Sequence, residues 1–249
     1  MFHLKRVLSD NIKGKHATSE QIKESVMTGV LSFYRTSIGK KVVMAVTGLI
    51  GVGFVIGHML GNLQIYLGAE ALNKYAAFLK STGELLVVVR VVLLTAVILH
   101  IIAAVQLTIE NRKSRPQRYV KKQHVESTFA SRTMRYGGII LLLFIVYHIL
   151  HFTIGKAPGG PQPFDVHNVY NNVVYGFQNI WVSLFYIVAM LSLGLHMAHG
   201  VWSLFQTLGL NNRRFNRLLR NAALGIGTLL FLGNISIPIA VLVGFLKPI

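Results

Sequence analysis

Six of the chain's ten histidines stand at His58, His100, His148, His151, His196 and His199, inside stretches that hold almost nothing else ionisable. An imidazole in apolar surroundings has few uses. It ligates a metal through an unprotonated ring nitrogen, relays protons, or packs as a hydrogen-bonded polar group. Cysteine is absent. The chain therefore offers no thiolates for an iron–sulfur cluster and no Cys-x-x-Cys-His sequence for covalent haem attachment. Any metal chemistry rests on histidine.

The elements that must position these rings are five long apolar runs, Val42–Tyr66, Leu85–Ile109, Tyr136–Gly155, Trp181–Phe205 and Ala222–Leu246. Each reaches the roughly 20 residues a helix needs to cross about 30 Å of hydrocarbon. None shows the period-two alternation of a membrane barrel. Of the 249 residues, 53% are hydrophobic and only 13% charged, against about 25% charged in a soluble domain. A soluble single-domain enzyme and a disordered chain are both excluded on composition. The expected fold class is an all-α membrane protein with five transmembrane helices, the first four, which carry the six histidines, forming a bundle. Residues 1–38 form a cytoplasmic N-terminal extension, partly helical around Glu20–Leu31, and residues 39–249 form the membrane domain.

The net charge of +17 is a topology signal. The segment before the first run holds eight Lys and Arg, the second connection eight and the fourth connection four. The other side holds only Lys74, Lys80, Lys156 and Lys247. Basic residues collect on the cytoplasmic side, so the N-terminus is expected there, in a multi-pass protein of a bacterial cytoplasmic (inner) membrane. Charges that alternate with membrane crossings, with no recognition motif, argue for a lipid membrane and against nucleic acid as partner.

At 1.5 Å per helical residue, depth follows from counting. His58 and His148 lie towards the outside, on the first and third helices. His100 and His196 lie towards the cytoplasm, on the second and fourth. Two imidazoles from facing helices at one depth can bind a metal from above and below, as the iron of a planar macrocycle requires. Two stacked, noncovalently held b-type haems satisfy the pattern, and bis-histidine ligation suits electron transfer rather than oxygen chemistry. Gly51, Gly53, Gly57 and Gly61 around His58, and Gly194 and Gly200 around His196, would let helices approach a flat group; glycine in membrane helices also serves helix packing. A proton relay is the competing reading, but the five runs contain no Asp or Glu. A zinc site needs ligands converging at one depth. Depth favours His196 over His199 and does not separate His148 from His151. The extra histidines have roles open to them at a haem propionate, a quinone oxygen or a backbone carbonyl.

Several stretches carry a family resemblance: Ser37-Ile38-Gly39-Lys40-Lys41, Thr47-Gly48, Gly57-His58-Met59-Leu60-Gly61-Asn62, Tyr147-His148-Ile149-Leu150-His151 and His196-Met197-Ala198-His199-Gly200-Val201-Trp202-Ser203. In order and spacing they resemble the five-helix, dihaem cytochrome b membrane-anchor subunit of succinate:quinone oxidoreductases, from about Phe33 onwards. The resemblance implies that His58 and His148 ligate the iron of an outer haem b, and His100 and His196 that of an inner one. It chooses His148 over His151. It implies anchoring of a flavoprotein and an iron–sulfur subunit on the cytoplasmic face, with electrons passing to or from a quinone, menaquinone or ubiquinone, menaquinone being expected. Succinate chemistry belongs to the flavoprotein. Alternatives within the class are the dihaem cytochrome b subunit of a fumarate reductase, formate dehydrogenase or hydrogenase. Some fumarate-reducing relatives carry an acid within a membrane helix; here no run has one.

Smaller expectations attach to seven further residues. Arg90 is the one charge well inside a run, placed either to pair with an outer-haem propionate or to snorkel to the interface. Ser37, Lys40 and Arg35 stand at the start of the first helix, to contact a quinone or inner-haem propionate, or to serve as cap and cytoplasmic anchors. Trp181 and Tyr186 read as interfacial aromatics, and Pro238 as a kink near Ser236.

Overall fold

The computed structural model describes residues 19–114 and 127–249. Residues 1–18 of the N-terminal extension, and Arg115, Arg118, Lys121 and Lys122 of the second connection, lie outside the described residues. Among the described residues eight α-helices follow in order: α1 Ser19–Arg35, α2 Ser37–Asn62, α3 Ala69–Ser81, α4 Glu84–Lys113, α5 Phe129–His148, α6 Val169–Gln178, α7 Ile180–Thr207 and α8 Asn216–Leu242. A 3-10 turn, Leu63–Leu67, extends α2, and a wide π turn, Ile149–Ile154, extends α5.

Helices α2, α4, α5, α7 and α8 are long and apolar enough to cross a membrane. Val87, Val88, Val91, Leu94 and Ile98 lie exposed along α4. That continuous apolar face is tenable only against lipid, and helices satisfy their backbone hydrogen bonds internally, as hydrocarbon demands. The helices start where polar side chains cap them. Thr36 Oγ1 accepts from Gly39 N at 3.0 Å, Thr128 Oγ1 from Ser131 N at 3.1 Å, Asn168 Oδ1 from Asn171 N at 3.1 Å, and Asn179 Oδ1 from Trp181 N at 3.0 Å. Each satisfies a backbone donor that a helix start leaves unpaired. The cap of α2 is therefore Thr36, and Ser37 is free for another contact.

In the bundle α2 and α7 pack together at the centre, α4 lies against α2, α5 against α7, and α8 against α7 and α2. Small residues set the closest crossing. A Cβ on Gly194 would stand 3.0 Å from the Gly227 carbonyl oxygen, so α7 and α8 meet backbone to backbone. Gly61 likewise meets the Tyr75 ring of α3, where an added Cβ would approach to 2.6 Å. Gly61 and Gly194 thus serve protein packing, not a flat cofactor. At Gly51, Gly53, Gly57 and Gly200 an added Cβ would meet no protein atom within 4 Å. Helix α8 continues through the buried Pro238 to Leu242.

The first and third connections differ from the loops expected of them. They contain α3 and α6, which pack on each other and on the ends of α2 and α8. Asn73 joins them, its Nδ2 donating to Asn168 Oδ1 at 3.2 Å and its Oδ1 accepting from Tyr170 N at 3.0 Å. Lys80 Nζ donates to the Val166 carbonyl. Beneath this cap lies the main buried cluster, including Ile65, Leu72, Val174, Phe177, Tyr186, Ile237 and Val241. Tyr186 is only 4% exposed. It is a core residue roofed by α6, not an interfacial aromatic; Trp181, one turn earlier, is exposed.

Candidate functional site

The bundle brings the four depth-paired histidines together in two sets. His58 of α2 faces His148 of α5 with ring centroids 5.7 Å apart and planes at 87°. His100 of α4 faces His196 of α7 at 6.3 Å and 53°. The helices bearing each set, α2 with α5 and α4 with α7, are not the ones that pack extensively on each other. The paired rings reach across gaps held open by the other contacts of the bundle. Along α2, Thr47 stands level with the inner set, eleven residues before His58, so the two sets lie about 16 Å apart along the bundle.

Two imidazoles bonded to one metal from opposite sides through nitrogens at about 2.0–2.1 Å place their ring centres about 6 Å apart. Both sets have that separation. Among the described residues no three or more His, Cys, Asp or Glu side chains converge, so the donor sets are two-ring sets. A metal that brings its remaining in-plane ligands with it, as haem iron does, fits them; a tetrahedral structural ion does not. His58 is accessible at the surface although neighbouring groups crowd it, as expected of a ring lining a groove. Phe54 stacks on it at 5.3 Å.

Hydroxyl groups hold one ring in each set. Thr47 Oγ1 lies 3.1 Å from His100 Nδ1 and donates to the Val43 carbonyl at 2.7 Å. Tyr186 Oη lies 3.2 Å from His148 Nδ1 and 2.9 Å from His151 Nδ1. His196 Nδ1 is buried with no hydrogen-bond partner among the described residues. Neither Thr47 nor Tyr186 was singled out as a site residue from sequence. A usable signal existed for Thr47: eleven residues are three helical turns, which puts it on the same face of α2 as His58. Tyr186 gave none, because the α6 roof that buries it reads as loop.

His151 is fully buried. It sits in the π turn after His148, with its ring 3.9 Å from Phe152 and 5.5 Å from Tyr186. The wide turn lets two histidines three residues apart share one hydroxyl, and His151 faces Gly176 rather than His58. His199 is half-buried and makes no ring contact among the described residues.

Near the other end of α2, Lys40 is buried, 7% exposed. Its Nζ donates to Glu110 Oε1 at 2.5 Å and to the Arg35 carbonyl at 2.9 Å. Ser37 Oγ lies 3.5 Å from Glu110 Oε2, and Tyr34 Oη donates to Gln106 Oε1 at 2.9 Å. The ammonium of Lys40 is thus committed to a carboxylate just beyond the expected end of the second run. Arg90 is exposed on α4 and has no polar partner among the described residues.

Five membrane helices around two gaps, each bridged by facing imidazoles, define an integral membrane protein with paired bis-imidazole sites. The chain belongs to the succinate dehydrogenase/fumarate reductase transmembrane subunit family, whose model matches residues 108–233. The matched half takes in His148, His151, His196 and His199 and begins after His58 and His100. The chain is also 27% identical over 166 residues to a Bacillus subtilis (strain 168) protein named succinate dehydrogenase cytochrome b558 subunit, covering 66% of this chain and 76% of that one. No solved structure matches it.

Proposed function

We propose that the chain is the membrane-anchor and electron-transfer subunit of a succinate dehydrogenase. In this reading it carries electrons from an iron–sulfur subunit to quinone by way of two b-type haems. The observation that carries the reading is the pair of imidazole sets at two depths, each with the ring separation that axial ligation of one iron needs. His58 and His148 would hold the outer haem, His100 and His196 the inner one. Bound there, the haems would supply two one-electron carriers in line across the bilayer. The chain's own part would be to present an unprotonated ring nitrogen from each of the four helices, with Tyr186 beside His148 buried under the α3–α6 cap.

The choice of succinate over fumarate chemistry rests on the Bacillus relative's name. The basic ends of α1, α4 and α8 support a cytoplasmic N-terminus in a bacterial inner membrane. The outer end is closed by the chain's own short helices. On the opposite side α1 exposes Val26, Met27, Leu31 and Phe33, and the α7–α8 connection exposes Leu208, Leu210 and Phe215. Those side chains suit docking of the flavoprotein and iron–sulfur subunits there, with residues 1–38 as an extension that joins them. A quinone, menaquinone by expectation, completes the electron path.

The test is optical. The chain, purified from membranes with its accompanying subunits and reduced with dithionite, should show b-type α-bands and about two haems per chain. A featureless spectrum rejects the reading, and co-purification of formate- or hydrogen-oxidising subunits rejects the assignment to succinate.

A further inference from the structure

Resting on the haem reading above, we propose that Thr47 and Tyr186 are positioning residues which fix the protonation of one axial imidazole at each haem, and that the two central helices exchange these roles. A hydroxyl has one proton to donate. Thr47 spends its proton on the Val43 carbonyl. With that proton on the carbonyl, the Thr47 oxygen is an acceptor for His100 Nδ1–H, the tautomer that leaves Nε2 bare.

Tyr186 faces two ring nitrogens and can donate to one of them. Ligation by His148 through Nε2 requires Nδ1–H on that ring, donating to Tyr186 Oη. The phenol proton then goes to His151 Nδ1. His151 stands to Tyr186 as the Val43 carbonyl stands to Thr47: each takes up the hydroxyl's proton and leaves its oxygen as an acceptor. This gives the extra histidine a role outside the metal's own ligands, and the π turn after His148 is what brings it there.

The arrangement is reciprocal. Helix α2 contributes His58 to the outer set and Thr47 to the inner one. Helix α7 contributes His196 to the inner set and Tyr186 to the outer one. The hydroxyl-held rings, His100 and His148, come from α4 and α5. Rings that donate N–H to a fixed acceptor are more basic at the ligating nitrogen, which favours ferric over ferrous iron. Each hydroxyl should therefore lower the potential of its own haem.

The experiment is a crossed potentiometric titration of the purified complex, with each haem assigned through H58A and H100A. T47V should raise the midpoint potential of the inner haem alone, and Y186F that of the outer haem alone. T47S, which keeps the hydroxyl, should restore the wild-type inner potential. The low-spin ferric EPR signal of the affected haem should move with its potential, while the other haem's signal stays put. Unshifted potentials in both variants, or equal shifts of both haems in each, overturn the proposal while leaving the haem reading intact. Wild-type complex without haem overturns both. Should one variant fail to accumulate, the other still decides; failure of both marks the hydroxyls as structural and overturns the proposal.

Discussion

Gly194 and Gly227 bring α7 and α8 into backbone contact: a Cβ on the first would stand 3.0 Å from the carbonyl oxygen of the second. Gly194 is two residues before His196, so the crossing that closes the bundle also sets the height and rotation of the inner set. A leucine at 227 has no room. G227L is expected to cost at least the 1–3 kcal/mol typical of overpacking. It should show as a lowered melting temperature of the purified protein and a preferential loss of the inner haem's absorbance. Retention of both would mean that α8 can draw back without moving α7.

Single replacements of the four paired histidines should sort into two classes. H58A and H148A should each remove the outer haem and leave the inner; H100A and H196A should do the reverse. H199A, whose ring makes no aromatic contact, should retain both. Haem-to-protein ratios and the low-temperature α-band read the outcome, and a mixed pattern would break the pairing.

Lys40 and Glu110 tie the start of α2 to the end of α4. Breaking a buried ion pair costs about 3–5 kcal/mol when a charge is stranded. Here the Glu110 side chain is 40% exposed, and Lys40 keeps the Arg35 carbonyl, so E110Q should cost about 1–2 kcal/mol. Replacing Lys40 by Met should cost no more, since it removes the buried charge together with the contact. Thermal unfolding of the two variants in detergent checks the order.

Asn73 grips both the side chain of Asn168 and the backbone of Tyr170. N73L removes the acceptor of the Tyr170 N–H, while Asn168 Oδ1 keeps the Asn171 N–H, at about 1–3 kcal/mol. The expected result is local: faster amide exchange in α3 and α6, with α2, α4 and α7 unchanged. Exchange that accelerates throughout would show that the cap is part of one cooperative unit with the membrane bundle.

The large features were legible because membrane helices obey a length rule and a rise per residue. All five apolar runs are helices, and counting residues from their ends was enough to match His58 with His148 and His100 with His196 in depth. What escaped had other causes. Helices α3 and α6 are 13 and 10 residues of mixed polarity, too short and too polar to stand out beside apolar runs of 20 to 25 residues, and they are stabilised by packing on the bundle ends. Tyr186 sits near the start of α7 and looked interfacial because the roof above it was unseen. The glycines gave position but not partner: Gly61 answers to Tyr75 and Gly194 to Gly227. Thr36, not Ser37, caps α2, a difference of one residue that only the hydrogen bond from Gly39 resolves.

The double duty of α2 and α7 has a bearing on how such a protein can change. Because each central helix serves both levels of the bundle, the two levels are not separable modules. A lineage or a designer wishing to discard one of them cannot delete a hairpin; it must edit side chains on helices that the surviving level still uses. Change at one level is thereby confined to single-residue steps, and a module borrowed from another membrane protein would have to arrive as the whole four-helix set.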